Sequence, residues 1–266
     1  MAGKKQNRYT QIIERIFEQR YVEGAQEVAF ERDDIVHAAS ELEIRLPKNV
    51  GDILYTFRYR TSLPAAIRAR APEGQEWVIR SVGAARYKFA LAAHQSIEPS
   101  KLLVETKILD STPGIISKYA LGDEQALLAK LRYNRLIDIF AGVTCYSMQN
   151  HLRTTVLGIG QVETDELYVG VDQRGAQYVL PVQAKGGNDR LGITQIEQDF
   201  AMCAAKFSEL LCRPIAAQFM EENLIALFAF EMGENGVSVS AERHYRLVRP
   251  DEVTADDLIA YRMRTA

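Results

Sequence analysis

Alternating strand-like and helix-like segments in the second half of the chain constrain its fold more than any other feature of the sequence. Strands are predicted at 143–148, 154–159, 162–171, 178–184, 215–220, 225–232 and 237–241. Helices are predicted over 123–141 and 195–212, where apolar residues recur at helical spacing, and Thr194 with Glu197 predicts a capping box for the second helix. Strands that alternate with helices are typical of a mixed α/β sheet.

The first half predicts three short helices followed by a hairpin. Pro47 suits the first turn of the third helix, and β-rich runs at 77–81 and 86–91 follow it. Helical spacing predicts the core residues Ile12, Ile13, Ile16, Phe17, Ile35, Ala38, Ala39, Leu42, Val50, Ile53, Leu54 and Phe57. This order resembles a winged helix-turn-helix. Because Ser, Pro and Gly cluster at 109–114, we predict domains at 1–111 and 112–266.

Basic residues concentrate in the first half. The segment 45–88 contains nine basic and three acidic residues, whereas the whole chain of 266 residues has a formal net charge of −3. Lys48, Asn49, Arg58 and Arg60 fall on the exposed face of the predicted third helix and its continuation, where their donors suit phosphates and base edges. We expect this face to contact double-stranded DNA. The alternative is that its arginines form an ordinary solvated surface.

The cysteines, the N-terminus and the longest apolar stretch indicate the compartment in which the protein is expected. The three cysteines include no CxxC pair, which argues against a disulfide framework or a zinc ribbon and favours a reducing compartment. The basic N-terminus runs into a charged amphipathic segment without an apolar region, and the longest apolar stretch, 224–230, is too short to span a bilayer. These features predict a soluble cytoplasmic protein.

The segment 160–187 carries the candidate chemistry. A four-residue connection at 172–175 predicts a hairpin in which Val171 pairs with Ala176, so that Asp165 lies opposite Val182 and close to Gln183. Alternation places Gln183 and Lys185 on one face of their strand and Glu163 and Asp165 on one face of the other. These two faces coincide only if that register holds. Carboxylate and amide oxygens suit Mg²⁺, and a neighbouring ammonium can stabilise charge on a phosphate.

Three features follow one another along this segment: Asp165, a hairpin, and Gln183-Ala184-Lys185 before two glycines. Their order resembles the PD-(D/E)xK nuclease core, the fold of many restriction endonucleases and Holliday-junction resolvases. The resemblance covers roughly 123–232 and implies a restriction endonuclease-like core that cleaves phosphodiester bonds with Mg²⁺, or with Mn²⁺ in its place. It implies that Asp165 and Gln183 are metal ligands, with Glu163 as a helper, and that Lys185 is the catalytic lysine. It also implies that Gln195 lies near the phosphate. A restriction-type DNA endonuclease is expected to act as a homodimer.

The sequence departs from the pattern of this family at several points. No proline precedes Asp165, and Gln183 stands where an acid is usual, so the site lacks one negative charge. Family members often add an acid from the first helix, and Asp138 lies nearest the suitable end. Pro181 in the third strand implies a bulge or a sheet edge.

Three alternatives to an active nuclease remain open from the sequence. Asp165 and Lys185 could form only a cross-strand ion pair. The chain could be a DNA-binding regulator with an inactive nuclease-like domain, in which Gln183 marks the lost acid. It could also be a structural or protein-interaction module without affinity for DNA.

Overall fold

The computed structural model describes residues 7–93, 97–119, 124–186, 191–221, 223–233 and 236–264, and shows a mixed α/β protein. Its residues group into two compact units. Unit 1 comprises Met1–Ser96, Thr154–Val162 and Gly192–Gln198, and unit 2 comprises Ile97–Arg153, Glu163–Leu191 and Asp199–Ala266. None of the described helices is both long enough and apolar enough to cross a bilayer. The proposed domain boundary at residue 111 stays a prediction.

Unit 1 combines short helices with a three-stranded antiparallel sheet of order β1-β3-β2. In chain order its elements are α1 (Arg8–Arg20), β1 (Glu27–Glu31), α2 (Arg32–Glu41), α3 (Gly51–Tyr55), a π-helical turn (Thr56–Arg60), α4 (Ala65–Arg68), β2 (Gln75–Gly83) and β3 (Arg86–Ala93). The predicted hairpin is confirmed by β2 and β3. Strand β1, which the sequence analysis did not predict, pairs with β3 and completes the sheet.

The predicted apolar positions of unit 1 form its core. Of the twelve predicted positions, ten are buried, and Leu42 and Val50 are partly buried against them. The third helix begins at Gly51 rather than near Pro47, which corrects the prediction. Asn49 accounts for this start, because its side-chain oxygen accepts the N–H of Gly51 at 3.1 Å and its amide donates to Asp52 at 2.7 Å.

Unit 2 contains most of a larger mixed sheet of order β4-β11-β10-β9-β7-β6-β5. Its strands are β4 (Glu105–Leu109), β5 (Thr144–Val156), β6 (Gly160–Val171), β7 (Gln177–Lys185), β8 (Leu211–Cys212), β9 (Ile215–Glu221), β10 (Leu224–Gly233) and β11 (Gly236–Val248). Its helices are α5 (Gly114–Tyr119), α6 (Glu124–Tyr133), α7 (Leu136–Ala141) and α9 (Ala255–Met263), and α8 (Ile193–Lys206) belongs to it from Asp199 onward. Strand β7 is parallel to β8 and β9, and β4 is parallel to β11. Leucines of α6 and α7 pack with the inward side chains of the central strands as one core.

The predicted long helix over 123–141 is wrong, because the chain breaks it into α6 and α7. Arg135 adopts a left-handed backbone conformation (φ +52°), which ends a right-handed helix. The buried Asn134 side chain stabilises the break. Its oxygen accepts the N–H of Ser111 at 2.6 Å, and its amide donates to the Thr112 hydroxyl at 2.9 Å and to the Lys130 carbonyl at 3.0 Å.

The predicted hairpin register is also wrong, by one residue. Val171 pairs with Gln177 rather than Ala176, so Glu166, and not Asp165, lies opposite Val182. The turn is wider because the Asp172 carboxylate accepts two main-chain N–H groups, those of Arg174 at 2.9 Å and Ala176 at 3.0 Å. A shift of one residue exchanges the faces of a strand, so this difference decides which side chains meet.

Two further elements differ from their predictions. The strands predicted at 143–148 and 154–159 are one continuous strand, β5. Helix α8 ends at Lys206 rather than at 212, and the predicted capping box is absent there, since Thr194 lies inside the helix and Glu197 accepts a hydrogen bond from Arg80 at 2.9 Å. The strands predicted near 215–220 and 225–232 are confirmed by β9 and β10, and β11 extends beyond the predicted 237–241.

Pro181 lies in a central strand, and not at a bulge or an edge. Its neighbours on one side are β8, which pairs with β7 as far as Val179, and β9, which pairs from Val182 onward. The Val179 carbonyl accepts the Arg213 N–H at 3.0 Å, and main-chain groups two residues apart point to the same side of a strand. The ring nitrogen therefore faces the connection between β8 and β9, where no ladder hydrogen bond is lost.

Removing the buried amide of Asn134 should destabilise unit 2. We expect Asn134→Ala to lower the free energy of unfolding by about 1–3 kcal/mol, because the hydrogen bonds of a buried side chain are lost. Urea denaturation followed by circular dichroism measures the difference. Asn150→Ala, at an exposed position in β5, is the control and should lie within about 0.5 kcal/mol of the unmutated protein. Equal effects of the two variants would contradict this role of Asn134.

Candidate functional site

The candidate site lies where the paired part of β6 and β7 ends. Their described ladder stops at the pair Glu166 and Val182. One residue further along β6, the Asp165 carboxylate takes the place of a main-chain partner, and its Oδ2 accepts the N–H of Ala184 at 2.8 Å. This hydrogen bond fixes the carboxylate at the end of the hairpin, between the two residues Gln183 and Lys185.

Lys185 connects this hairpin to the first turn of α6. The lysine is buried, and its Nζ lies 3.2 Å from Oε1 of Glu124, whose side chain is 39% exposed. Glu124 comes directly at the start of α6, where a carboxylate also interacts favourably with the helix dipole. The lysine therefore holds a partly exposed carboxylate of α6 beside the strand that carries its own backbone.

The charges of these groups act on one another through a partly desolvated space. Burial raises the pKa of the Asp165 carboxyl, and the negative charge of Glu124 raises it further. The Ala184 N–H, the Lys185 ammonium and His151 act in the opposite direction on the pKa of Asp165. Asp165, Glu124, Lys185 and His151 thus form one electrostatic cluster.

Gln183 is buried, and its amide has a defined orientation. Its Nε2 donates to Oδ2 of Asp199 at 2.9 Å and to the carbonyl of Glu163 at 3.2 Å. Asp199 lies in α8 and is fully buried, and its Oδ1 accepts the Thr164 hydroxyl at 2.5 Å. Burial raises the pKa of Asp199 to about 7. A carboxylate therefore supports the amide that stands where the related pattern has an acid.

The structure brings the predicted catalytic residues together and separates two acids from them. Asp165, Gln183 and Lys185 share the end of the hairpin, as described above. The Glu163 carboxylate instead binds Arg153 at 3.0 Å, and only its main-chain carbonyl contacts Gln183. Asp138 pairs with Arg135 and accepts the Cys145 N–H at 2.8 Å, so the acid that α6 and α7 provide at Lys185 is Glu124.

Sequence reasoning missed Glu124, Asp199 and His151. Glu124 could have been found as an acid in the first turn of the predicted helix. Asp199 could have been found because it falls within the apolar stripe of α8, between Ile196 and Cys203, where an acid needs buried partners. No pattern in the sequence marks His151.

The predicted DNA-contacting residues all belong to unit 1. Lys48 and Asn49 are exposed before α3, and Asn49 also bonds to the start of that helix. Arg58 is partly buried, with its Nε and Nη2 shielded from water, and Gln195 is partly buried in α8. A Cβ atom added to Gly192 would lie 3.4 Å from the Arg58 carbonyl and 3.8 Å from Oε1 of Gln195. The Arg60 backbone lies in the π-helical turn, and its side chain is outside the described residues.

The candidate site offers two carboxylates as possible Mg²⁺ ligands, and Gln183 stands where a further acid is usual. Asp165 and Glu124 offer carboxylate oxygens, which suit a hard cation, whereas the buried Gln183 amide is bonded to Asp199 and to the Glu163 carbonyl. Two carboxylates that repel each other in a desolvated space would also be stabilised by a divalent charge. Within the described ranges, no three side chains among His, Cys, Asp and Glu converge as a metal site. No model of a known protein family matches the sequence, and no curated protein matches it significantly.

The buried carboxyl of Asp199 should make stability depend on pH in a recognisable direction. The folded protein keeps this proton up to a pKa of about 7, whereas the ordinary value is 3.8, so ionisation of Asp199 destabilises the folded state as the pH rises between these values. In metal-free buffer, the stability of the unmutated protein relative to Asp199→Asn should fall by roughly 4 kcal/mol over this range. Thermal or urea unfolding at several pH values measures it.

Asp257 provides a control of opposite sign. The Thr254 N–H and Lys107 lower the pKa of this partly exposed carboxyl to about 2, so its stabilising contribution is present above pH 3.8 and is lost as the pH falls through 2. Relative to Asp257→Asn, the unmutated protein should therefore gain stability as the pH rises. A flat profile for Asp199→Asn against the unmutated protein would show that Asp199 is not buried as described.

Proposed function

We propose that this protein is a Mg²⁺-dependent DNA endonuclease of the restriction type, with an N-terminal winged-helix module that binds double-stranded DNA and a restriction endonuclease-like core that cuts it. The observation that carries this proposal is the convergence of Asp165, Glu124 and Lys185 at the end of the β6–β7 hairpin. A lysine and two carboxylates at a strand end suit phosphodiester hydrolysis better than a purely structural ion pair, because Glu124 is open to solvent.

The order of elements supports both halves of the proposal. Helices α6 and α7, strands β5, β6 and β7, helix α8 and strand β9 follow one another as the resemblance to PD-(D/E)xK nucleases requires. In unit 1, β1 follows the first of four helices and the β2–β3 hairpin follows the last, an order that supports a winged helix with one additional short helix, α4. Double-strand cleavage needs two such sites, which favours a homodimer.

Each residue of the cluster has a role in this reaction. Asp165, Glu124 and Gln183 would hold Mg²⁺, with Mn²⁺ able to replace it, and the ion would supply activation of water and compensation of phosphate charge. Hydrolysis adds water across one P–O bond and leaves a phosphate monoester and a hydroxyl. The Lys185 ammonium lies where it can stabilise the charge that develops on the phosphate. Asp199 holds the Gln183 amide, and its carboxyl carries a negative charge only above a pKa of about 7.

Lys185→Ala tests the enzyme directly. With supercoiled plasmid and Mg²⁺ or Mn²⁺, we expect the unmutated protein to nick or linearise DNA and the variant to be slower by at least about 100-fold, because charge stabilisation is lost. DNA affinity, measured by fluorescence anisotropy, should change little. Lys206→Ala, at the exposed end of α8, is the control and should cleave normally. If both the unmutated protein and Lys185→Ala bind DNA but neither cuts it, the enzyme proposal is wrong.

That last outcome would favour the second candidate function, a DNA-binding regulator with an inactive nuclease-like domain. The observation in its favour is Gln183, which replaces an acid in the expected ligand set. A structural or interaction module predicts instead that the protein has no salt-dependent affinity for duplex DNA. The same binding and cleavage measurements therefore separate all three functions.

The contact between Gln183 and Asp199 gives a second test of the site. Asp199→Asn removes the supporting charge, so we expect cleavage to need about tenfold more Mg²⁺. Gln183→Glu alone places two buried carboxyls in contact and should reduce both stability and activity. The double variant Gln183→Glu, Asp199→Asn again pairs one amide with one carboxylate. The Mg²⁺ concentration that it needs for cleavage should be close to that of the unmutated protein. If the losses of the two single variants simply add in the double variant, residues 183 and 199 do not act together.

A further inference from the structure

A histidine of β5 lies beside the cluster formed by Asp165, Glu124 and Lys185. His151 has a left-handed backbone conformation (φ +49°) inside the strand Thr144–Val156, which is uncommon for a residue other than glycine. Such conformations are found most often where a side chain must be held in a particular place. Its side chain is exposed, and β5 is the last strand on its side of the sheet order.

The contact of His151 with Gln125 defines which of its two ring nitrogens is engaged by the protein. Its Nε2 lies 2.9 Å from Nε2 of Gln125, the residue that follows Glu124 in α6. This contact engages the imidazole Nε2, so a hydrogen bond from the imidazole to a ligand would come from Nδ1. His151 also lowers the pKa of the Asp165 carboxyl, as a positive charge near a carboxylate does.

The remaining donors of the cluster are engaged by the protein itself. The Ala184 N–H binds Asp165, the Lys185 ammonium binds Glu124, and the Gln183 amide binds Asp199. His151 adds an exposed donor that is held from its far side by Gln125. A phosphodiester that approaches Asp165 and Glu124 would carry negative oxygens within reach of such a donor, and a hydrogen bond to a charged oxygen is stronger than one between neutral groups.

We propose that His151 is a further catalytic residue of this site, which donates a hydrogen bond from its imidazole to an oxygen of the scissile phosphodiester. This inference rests on the proposed function, because it assigns a contact with the same substrate. The competing interpretation is that His151 only anchors Gln125 and thereby the first turn of α6.

The test compares cleavage by His151→Ala with cleavage by the unmutated protein under single-turnover conditions with saturating enzyme. We expect the rate of plasmid nicking to fall by about 100-fold, the size of effect seen when one preorganised donor to a reacting phosphate or carbonyl oxygen is removed. DNA affinity and the thermal midpoint should stay close to their original values. Gln149→Ala, at an exposed polar position of the same strand, is the control and should cleave at the normal rate.

Two further measurements separate contact with the substrate from a structural role. Added imidazole should restore at least part of the activity of His151→Ala, whereas it should not restore that of Lys185→Ala. In metal-free buffer, duplex DNA should shift the imidazole NMR resonance that is missing from His151→Ala. A structural anchor predicts no rescue, a lowered thermal midpoint and no such shift, and that result would overturn the inference.

The failure of this inference differs from failure of the proposed function. If His151→Ala cleaves at the normal rate while Lys185→Ala is inactive, the nuclease stands and the role of His151 is wrong. If the unmutated protein binds DNA but cuts none with either metal, the proposed function is wrong and the assignment to His151 is wrong with it.

Discussion

The hydrogen bond from the Ala184 N–H to the Asp165 carboxylate is the contact on which the candidate site depends. It stands where the next rung of the β6–β7 ladder would lie, and so it ends the pairing and directs an acid between Gln183 and Lys185. Because the Ala184 N–H belongs to the backbone of β7, it cannot move unless the strand moves. The sheet therefore fixes the position of the Asp165 carboxylate. The remaining members of the cluster, Lys185 and Glu124, are arranged around this fixed charge.

The buried pair of Gln183 and Asp199 contains one acid, which lies at position 199 and not at position 183. A carboxylate at position 183 would face Asp199 directly, and two buried acids in contact cannot both ionise at neutral pH. With glutamine at 183, the acid of this pair is Asp199 in α8, which accepts hydrogen bonds from Gln183 and Thr164. The pair therefore combines a neutral amide with an acid whose pKa burial raises to about 7, so its charge depends on pH near neutrality.

The sequence predicted the type of most elements because their apolar periodicity is strong, as in the core positions of α1 and α2. It failed where a single polar side chain overrides periodicity. Asn134 divides one apolar helix into α6 and α7, Asn49 delays α3, and Asp172 widens the hairpin turn by one residue. Within the site, spacing along the chain sufficed for Asp165, Gln183 and Lys185, which belong to one hairpin. Glu124, Asp199 and His151 come from other elements, and only tertiary packing brings them near.

Pro181 has a consequence for the fidelity of folding. Its nitrogen faces the short interval between β8 and β9, which is the one stretch along that side of β7 where a missing donor is harmless. A slip of β7 by one position would bring the ring against a carbonyl that expects a partner, and it would also reverse the directions of Gln183 and Lys185. A proline in the middle of the sheet therefore favours the native alignment of β7 over an alignment shifted by one residue.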